Sequence, residues 1–129
     1  MREADRLVHA YFAAVTAGEL PDDLLTDDMT AWLTTQGTIG RQAYQQAVRW
    51  LGSVMKEPLR FTIDAITAEG DRAVAEARSE GVLVNGQPYA QTYVFVLRIR
   101  DGRIAAIAEH YNALVAQETL LPLMTHQQG

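Results

Sequence analysis

The run RAVAEARSEGVLVNGQPYAQTYVFVLRIRDGRIAAIAEHYNAL, residues 72–114, reads as strand rather than helix. Its side chains alternate with the period of two that a half-buried strand requires. Asn85-Gly86 and Asp101-Gly102 interrupt that alternation, and such dipeptides between strand-like runs are strong short hairpin signals. Together with the run before Glu69-Gly70-Asp71, the pattern gives four strands over 59–68, 72–84, 88–100 and 103–114, in an antiparallel meander. Upstream the period changes. Leu7, Val8, Tyr11, Phe12 and Val15 recur at three- and four-residue intervals, which predicts a helix over 3–17 stopped by Gly18. A short helical turn follows Pro21-Asp22-Asp23, a strand is expected over 30–35, and Gly37 and Gly40 mark a loop. A second helix over 41–55 carries Tyr44, Ala47, Val48, Leu51 and Val54 on one stripe, and Pro58 closes it. Helices followed by an antiparallel sheet give an α+β class, with the N-terminal helices covering one face of a curved sheet.

Composition narrows the function. The 129 residues are 48% hydrophobic and 21% charged, which fits one compact domain. A chain of this length buries roughly two-thirds of its unfolded surface and needs no metal or disulfide staple. There is no cysteine, so no disulfide framework, thiolate metal site or cysteine nucleophile exists, and a reducing cytoplasm is the expected location. The net charge of −5 has the wrong sign for nucleic acid or an anionic membrane. The longest apolar run, Tyr93 to Leu97, falls far short of the ~20 residues that span a bilayer. The opening Met-Arg-Glu-Ala-Asp-Arg has no apolar run of the kind a secretory signal needs.

Hairpin arithmetic assigns faces. With Asn85-Gly86 as a two-residue turn, Val84 pairs with Gln87, and Val82, Glu80, Arg78, Glu76 and Val74 then face Tyr89, Gln91, Tyr93, Phe95 and Leu97. The opposite face carries Ala73, Ala75, Ala77, Ser79 and Gly81 against Thr92, Val94 and Val96. That flat surface of small side chains suits sheet-to-sheet pairing of two copies. At Asp101-Gly102 two registers are open. A two-residue loop sets Glu109 opposite Val94 on the outer face, whereas a three-residue loop with a glycine bulge sets it beside Tyr93, with Ile107 beside Phe95. The second groups the bulky residues and gathers Arg78, Glu80, Gln91, Tyr93 and Glu109 on the inner face. Such a cluster is either a solvated ladder of charges or a pocket in which Arg78 holds two carboxylates in different protonation states.

The helix end Ala17-Gly18-Glu19-Leu20, Thr26-Asp27-Asp28, Ile39-Gly40-Arg41, and Arg100-Asp101-Gly102-Arg103-Ile104 leading to Glu109-His110-Tyr111-Asn112 resemble the SnoaL-like and ketosteroid-isomerase-like branch of the nuclear-transport-factor-2-like superfamily. The likeness covers about residues 3–115 and implies a cone-shaped fold and a homodimer. It implies one SnoaL-like domain over 1–129, with a core of about 3–115 and a C-terminal tail over 116–129 that covers the cavity or a subunit contact. That fold hosts isomerases, cyclases, hydrolases and plain binders. Tyr11 matches the ketosteroid-isomerase tyrosine, but Leu33 and Phe95 stand at the base and acid positions, so a true ketosteroid isomerase is not expected. Arg78-Ser79-Glu80 and Glu109 resemble the Arg-x-Asp pair and second aspartate of limonene-epoxide-hydrolase-like members, with Trp32 and Thr34 where those carry a tyrosine and an asparagine.

The resemblance implies a cofactor-independent enzyme, hydrolase-like or cyclase-like, in which Glu109 is the base and Glu80 the acid, or the reverse, with Arg78 their orienting cation and Tyr93 a further catalytic group. Tyr11, Trp32, Gln91, Phe95, Ile107 and Tyr111 would line the site of a small lipophilic molecule. The alternative is a non-catalytic binding or accessory dimer on the same fold. His9, His110 and His126 have no metal-ligand spacing, and no phosphate-binding or dinucleotide glycine motif occurs. No metal or cofactor is expected. His9 and His126 are expected at the surface and His110 on the outer face.

Overall fold

The computed structural model describes residues 3–128, with side chains described over 3–124; His126, expected at the surface, lies outside the described side chains. The elements are α1 (Glu3–Ala17), a 3-10 turn (Asp22–Leu24), β1 (Leu25–Leu33), β2 (Gly37–Gly40), α2 (Arg41–Ser53), β3 (Met55–Glu69), β4 (Arg72–Leu83), β5 (Pro88–Arg100), β6 (Arg103–Tyr111), α3 (Ala113–Thr119) and α4 (Leu121–Gln128). The meander forms, but within a larger six-stranded sheet in the order β2-β1-β6-β5-β4-β3, where β1 runs parallel to β6. Gly37–Gly40 is a strand paired with β1 rather than a loop. Pro58 lies inside β3 instead of closing α2; β3 is an edge strand whose register shifts between Glu57 and Arg60, a position that tolerates a residue without an N–H. The apolar tail folds into α3 and α4. Among the described residues no helix is long and apolar enough to cross a membrane.

Helix α1 buries the stripe Leu7, Val8, Tyr11, Phe12 and Val15 that its spacing announces. It packs on β3 and β4, while α2 packs on β1 and β3, so both helices lie on the concave side of the sheet. Phe12 meets Phe95 edge-on at 5.0 Å and Phe61 at 4.8 Å. Such ring pairs add about 0.5–1.5 kcal/mol beyond the area they bury. A second apolar cluster of Val54, Leu59, Leu83 and Tyr89 receives Val115, Leu120 and Leu123, which fastens the C-terminal helices to the sheet.

Two registers differ from the sequence expectation. On β4 and β5 each pair is displaced by one: Ala77 faces Tyr93, Ser79 faces Gln91 and Val82 faces Pro88. The cause lies at the turn. Val84 donates its N–H to the Val54 carbonyl at 2.8 Å, so it cannot pair with Gln87; the Leu83 N–H bonds Gln87 instead, and the loop takes three residues closed by Gly86 at φ 86°. Because strand side chains alternate, that one-residue slip exchanges the faces of β4. Ala73, Ala75, Ala77 and Ser79 are buried, while Glu76, Arg78 and Glu80 are exposed.

Between β5 and β6 neither expected register forms. Asp101 and Gly102, at φ 54° and 73°, make a two-residue turn that pairs Arg100 with Arg103. Past Ile104 the register then jumps, skipping Ala105, so that Ala106 faces Arg98 and Glu109 faces Phe95. This bulge restores Glu109 to the inner face expected for it, two positions away from the partner expected.

Candidate functional site

Glu109 enters the concave side from β6 because the bulge at Ala105 turns it inward. Tyr11 on the buried stripe of α1 and Tyr44 on that of α2 converge on it from above. The Tyr44 hydroxyl donates to Oε2 of Glu109, and the Tyr11 and Tyr44 hydroxyls share a short hydrogen bond. The three groups form one chain, Tyr11–Tyr44–Glu109. Glu109 is half-buried and lines a cavity. Burial raises its pKa from 4.5 to about 7, against the opposing hydrogen bonds of Tyr44 and Tyr11. Burial first, and the Glu109 charge second, hold both phenols well above their ordinary value, so they stay neutral donors.

The cavity measures about 580 Å³, within the range of small-molecule sites. Eight aromatic side chains line it, among them Trp50, Phe61, Tyr93 and Phe95. Glu109 is the only charged residue among those described around it, and no described Lys, Arg or His lines the wall. Tyr93 on that wall pairs its hydroxyl with Ser79 Oγ behind it at 2.8 Å, and burial holds the Tyr93 phenol high as well. Ala116, Leu120 and Met124 close one side, so the tail covers the cavity.

Of the residues singled out in the sequence, Glu109, Tyr93, Tyr11, Phe95 and Tyr111 line this cavity. Arg78 and Glu80 do not reach it. They stand on the opposite face of the sheet, Arg78 on Asp64 at 3.2 Å and Glu80 with Arg60 at 3.8 Å, all largely solvated. The solvated ladder therefore describes them, and the cluster around Arg78 does not form. Trp32 also faces outward, 37% exposed, its ring tilted at 40° against His110 at 4.8 Å; His110 is on the outer face as expected. His9 is exposed, also as expected. Gln91 is buried but serves the backbone, donating to the Asn112 carbonyl and accepting from the Asn112 N–H, both at 3.0 Å. Ile107 is buried in the core opposite Leu97. Tyr44, Trp50, Phe61 and Tyr89 were not singled out as site residues. The signal for Tyr44 was present: a tyrosine on the apolar stripe of a helix buries a hydroxyl that needs a partner.

The profile of the SnoaL-like domain family matches residues 8–107. The chain belongs to that family. Solved structures with the nuclear-transport-factor-2-like fold agree. A provisionally assigned isomerase from Bacillus subtilis superposes with a TM-score of 0.79 at 21% identity, covering 93% of this chain and 96% of that one. IdmH from Streptomyces antibioticus, provisionally assigned as a polyketide cyclase, gives 0.78 at 16% identity over 92% and 99%. At those identities the likeness is one of fold. The uncharacterised YesE of Bacillus subtilis (strain 168) is 38% identical over 53 residues, 40% of this chain and 36% of that protein. The chain thus matches little more than a third of that relative's length.

In this SnoaL-like domain a carboxyl that ionises near neutrality, set among neutral phenols in an apolar cavity, can take a proton from a bound molecule and return it. Among the described residues no group of His, Asp or Glu side chains has the arrangement to hold a metal ion.

Proposed function

We propose that this SnoaL-like domain is a small-molecule enzyme in which Glu109 moves a proton within a lipophilic carbonyl compound, in the manner of an isomerase or polyketide cyclase. One observation carries the reading: Glu109 is a lone carboxyl with its pKa raised to about 7, hydrogen-bonded by a neutral phenol inside an aromatic cavity. A general base works best when its pKa lies near the working pH. Ionised Glu109 takes a proton from a carbon beside a carbonyl, and the neutral Tyr93 hydroxyl, outside the Tyr11–Tyr44–Glu109 chain and able to accept from Ser79, donates to the enolate oxygen. The enolate carbon then attacks a second carbonyl carbon of the same molecule, forming a C–C bond. The new alkoxide recovers the proton from Glu109. Returning the proton to a different carbon instead gives isomerisation. Both routes leave the protein unchanged.

The epoxide-hydrolase-like route needs a second carboxyl and an arginine beside the first, and Arg78 and Glu80 stand across the sheet from Glu109. The test is turnover of cyclisable polyketides and ketosteroids by wild type and Glu109→Gln. We expect wild type to consume a compound that the variant binds and leaves intact, with kcat/KM rising with pH to a plateau above about 7. Equal binding by both without turnover would move the protein to the binding or accessory reading.

We propose further that two copies pair through the outer face of the sheet. The support is apolar exposure there: Val94 at 39% and Trp32 at 37%, flanked by the Arg78–Asp64 and Arg60–Glu80 pairs.

A further inference from the structure

The cavity has a charge asymmetry that proton transfer alone does not use. Among the described residues its only charged side chain is Glu109, and none that lines the wall is cationic. None of the ion pairs among the described residues includes Glu109. The groups facing it are neutral on every side: Tyr11 from α1, Tyr44 from α2, Tyr89, Tyr93 and Phe95 from β5, Leu33 from β1 and Tyr111 from β6 itself. His110, the chain neighbour of Glu109, points out of the sheet onto Trp32. Among the described residues this carboxylate has no countercharge. The apolar cavity answers by keeping the proton on Glu109 to about neutral pH.

A ligand that brought its own positive charge would supply what the protein leaves out. The walls suit one, because the faces of Trp, Tyr and Phe attract cations and eight such rings stand around this cavity. The net charge of −5 favours approach of a cation over an anion. We propose that the cavity is also a receptor site for lipophilic amines, whose ammonium group pairs with the Glu109 carboxylate while the carbon body lies against Phe61, Phe95 and Trp50. An amine so bound occupies the space of a substrate and engages the carboxylate, so this class acts as an inhibitor of the acid/base chemistry. The proposal rests on Glu109 as a cavity carboxyl and not on turnover.

Binding is a proton exchange. Where Glu109 holds its proton, the complex forms as ammonium plus carboxylic acid giving the ion pair plus a released proton. A primary amine, like lysine with its pKa of ~10.4, stays charged throughout the useful range. The amine therefore binds best above the Glu109 pKa and weakens by up to ~10-fold per pH unit below it.

The experiment is isothermal titration calorimetry of the whole chain with three probes of one shape: naphthylethylamine, naphthylethanol and naphthylacetate. At about pH 8, where Glu109 is ionised, the amine is expected to bind ~30-fold or more tighter than the alcohol, and the acetate more weakly than either. Repeating the amine titration at about pH 6 in two buffers of different ionisation enthalpy should show release of close to one proton per amine bound. Glu109→Gln should bind the alcohol as wild type does and lose the preference for the amine. Equal affinity for amine and alcohol, a preference for the acetate, a preference that survives Glu109→Gln, or no amine binding at all would each overturn the proposal. Proton release is read on wild type alone, so it tests the pairing even if the variant fails to fold. Because turnover is never read, the amine site and the proposed reaction stand or fall separately.

Discussion

At the residue scale the protein turns on one carboxyl. Glu109 titrates at 4.5 in an unperturbed chain and at about 7 in the fold, and that difference is a statement about stability. Below the unfolded value both states hold the proton and no penalty applies. As pH rises between the two values the unfolded chain ionises first, so folded stability falls. Above the folded value the full cost remains, ~3 kcal/mol for a shift from 4.5 to about 7. Glu109→Gln removes the titration. Urea unfolding of both proteins from about pH 4 to 8 should therefore show the variant gaining on wild type by ~3 kcal/mol across that window. Parallel curves would mean that Glu109 ionises freely in the fold. Tyr44→Phe tests the other side of the balance. The Tyr44 hydrogen bond opposes the upward shift, so its loss should carry the Glu109 pKa above 7. The midpoint of the pH profile of kcat/KM would move to higher pH, and activity would fall several-fold more in acid than in alkali. A uniform loss at every pH would assign Tyr44 a packing role only.

At the scale of elements, one side chain anchors the start of the tail, and the apolar cluster around Tyr89 holds the rest. Gln91 on β5 makes a reciprocal pair of 3.0 Å hydrogen bonds with the backbone of Asn112, and the Asn112 side chain accepts from the Leu114 and Val115 N–H groups to start α3. Gln91→Leu keeps the bulk and leaves those buried groups unpaired, at a cost of ~1–3 kcal/mol. Hydrogen exchange should show α3 and α4 losing protection while β4 and β5 keep theirs; loss across the whole sheet would mean that the tail folds with the core. Element by element, the sequence was readable where one face is plainly apolar. The stripe of α1 and the alternation of Tyr89, Tyr93, Phe95 and Leu97 on β5 placed those residues on the face they occupy. On β4 the turn length misled. Alanines alternating with Glu76, Arg78 and Glu80 already said which face meets water, since unpaired buried charges cost several kcal/mol. The assumed two-residue turn overrode that pattern, and the bond from Val84 to Val54 that lengthens the loop comes from the end of α2, thirty positions away in the chain. The parallel pairing of β1 with β6 and the convergence of Tyr44 on Glu109 are likewise long-range, and no local period records them. The inward turn of Glu109 depends on a bulge at Ala105, which no residue type announces.

At the scale of the whole molecule, the sheet separates two surfaces with different duties. The concave side is used up by the helices and the cavity, and the convex side keeps an apolar centre. Trp32 and Val94 are both exposed there; β6 lies between their strands, where His110 pairs with Val94 and its ring contacts Trp32. Charged pairs on β3 and β4 flank this patch, the apolar-centre and polar-rim pattern of a protein interface. If two copies meet on it, sedimentation velocity of wild type should show a species of twice the chain mass, its fraction rising with concentration. Val94→Lys puts a charge at the centre of the patch, where its twin in the other copy would face it, and should shift the protein toward monomer. The same variant leaves the cavity untouched, because Val94 points away from Glu109 across the thickness of the sheet. Naphthylethanol binding should therefore persist in the monomer. Loss of binding together with the dimer would show that pairing supports the cavity through the sheet; an unchanged mass for both proteins would leave the exposed Trp32 and Val94 without a second copy to cover them.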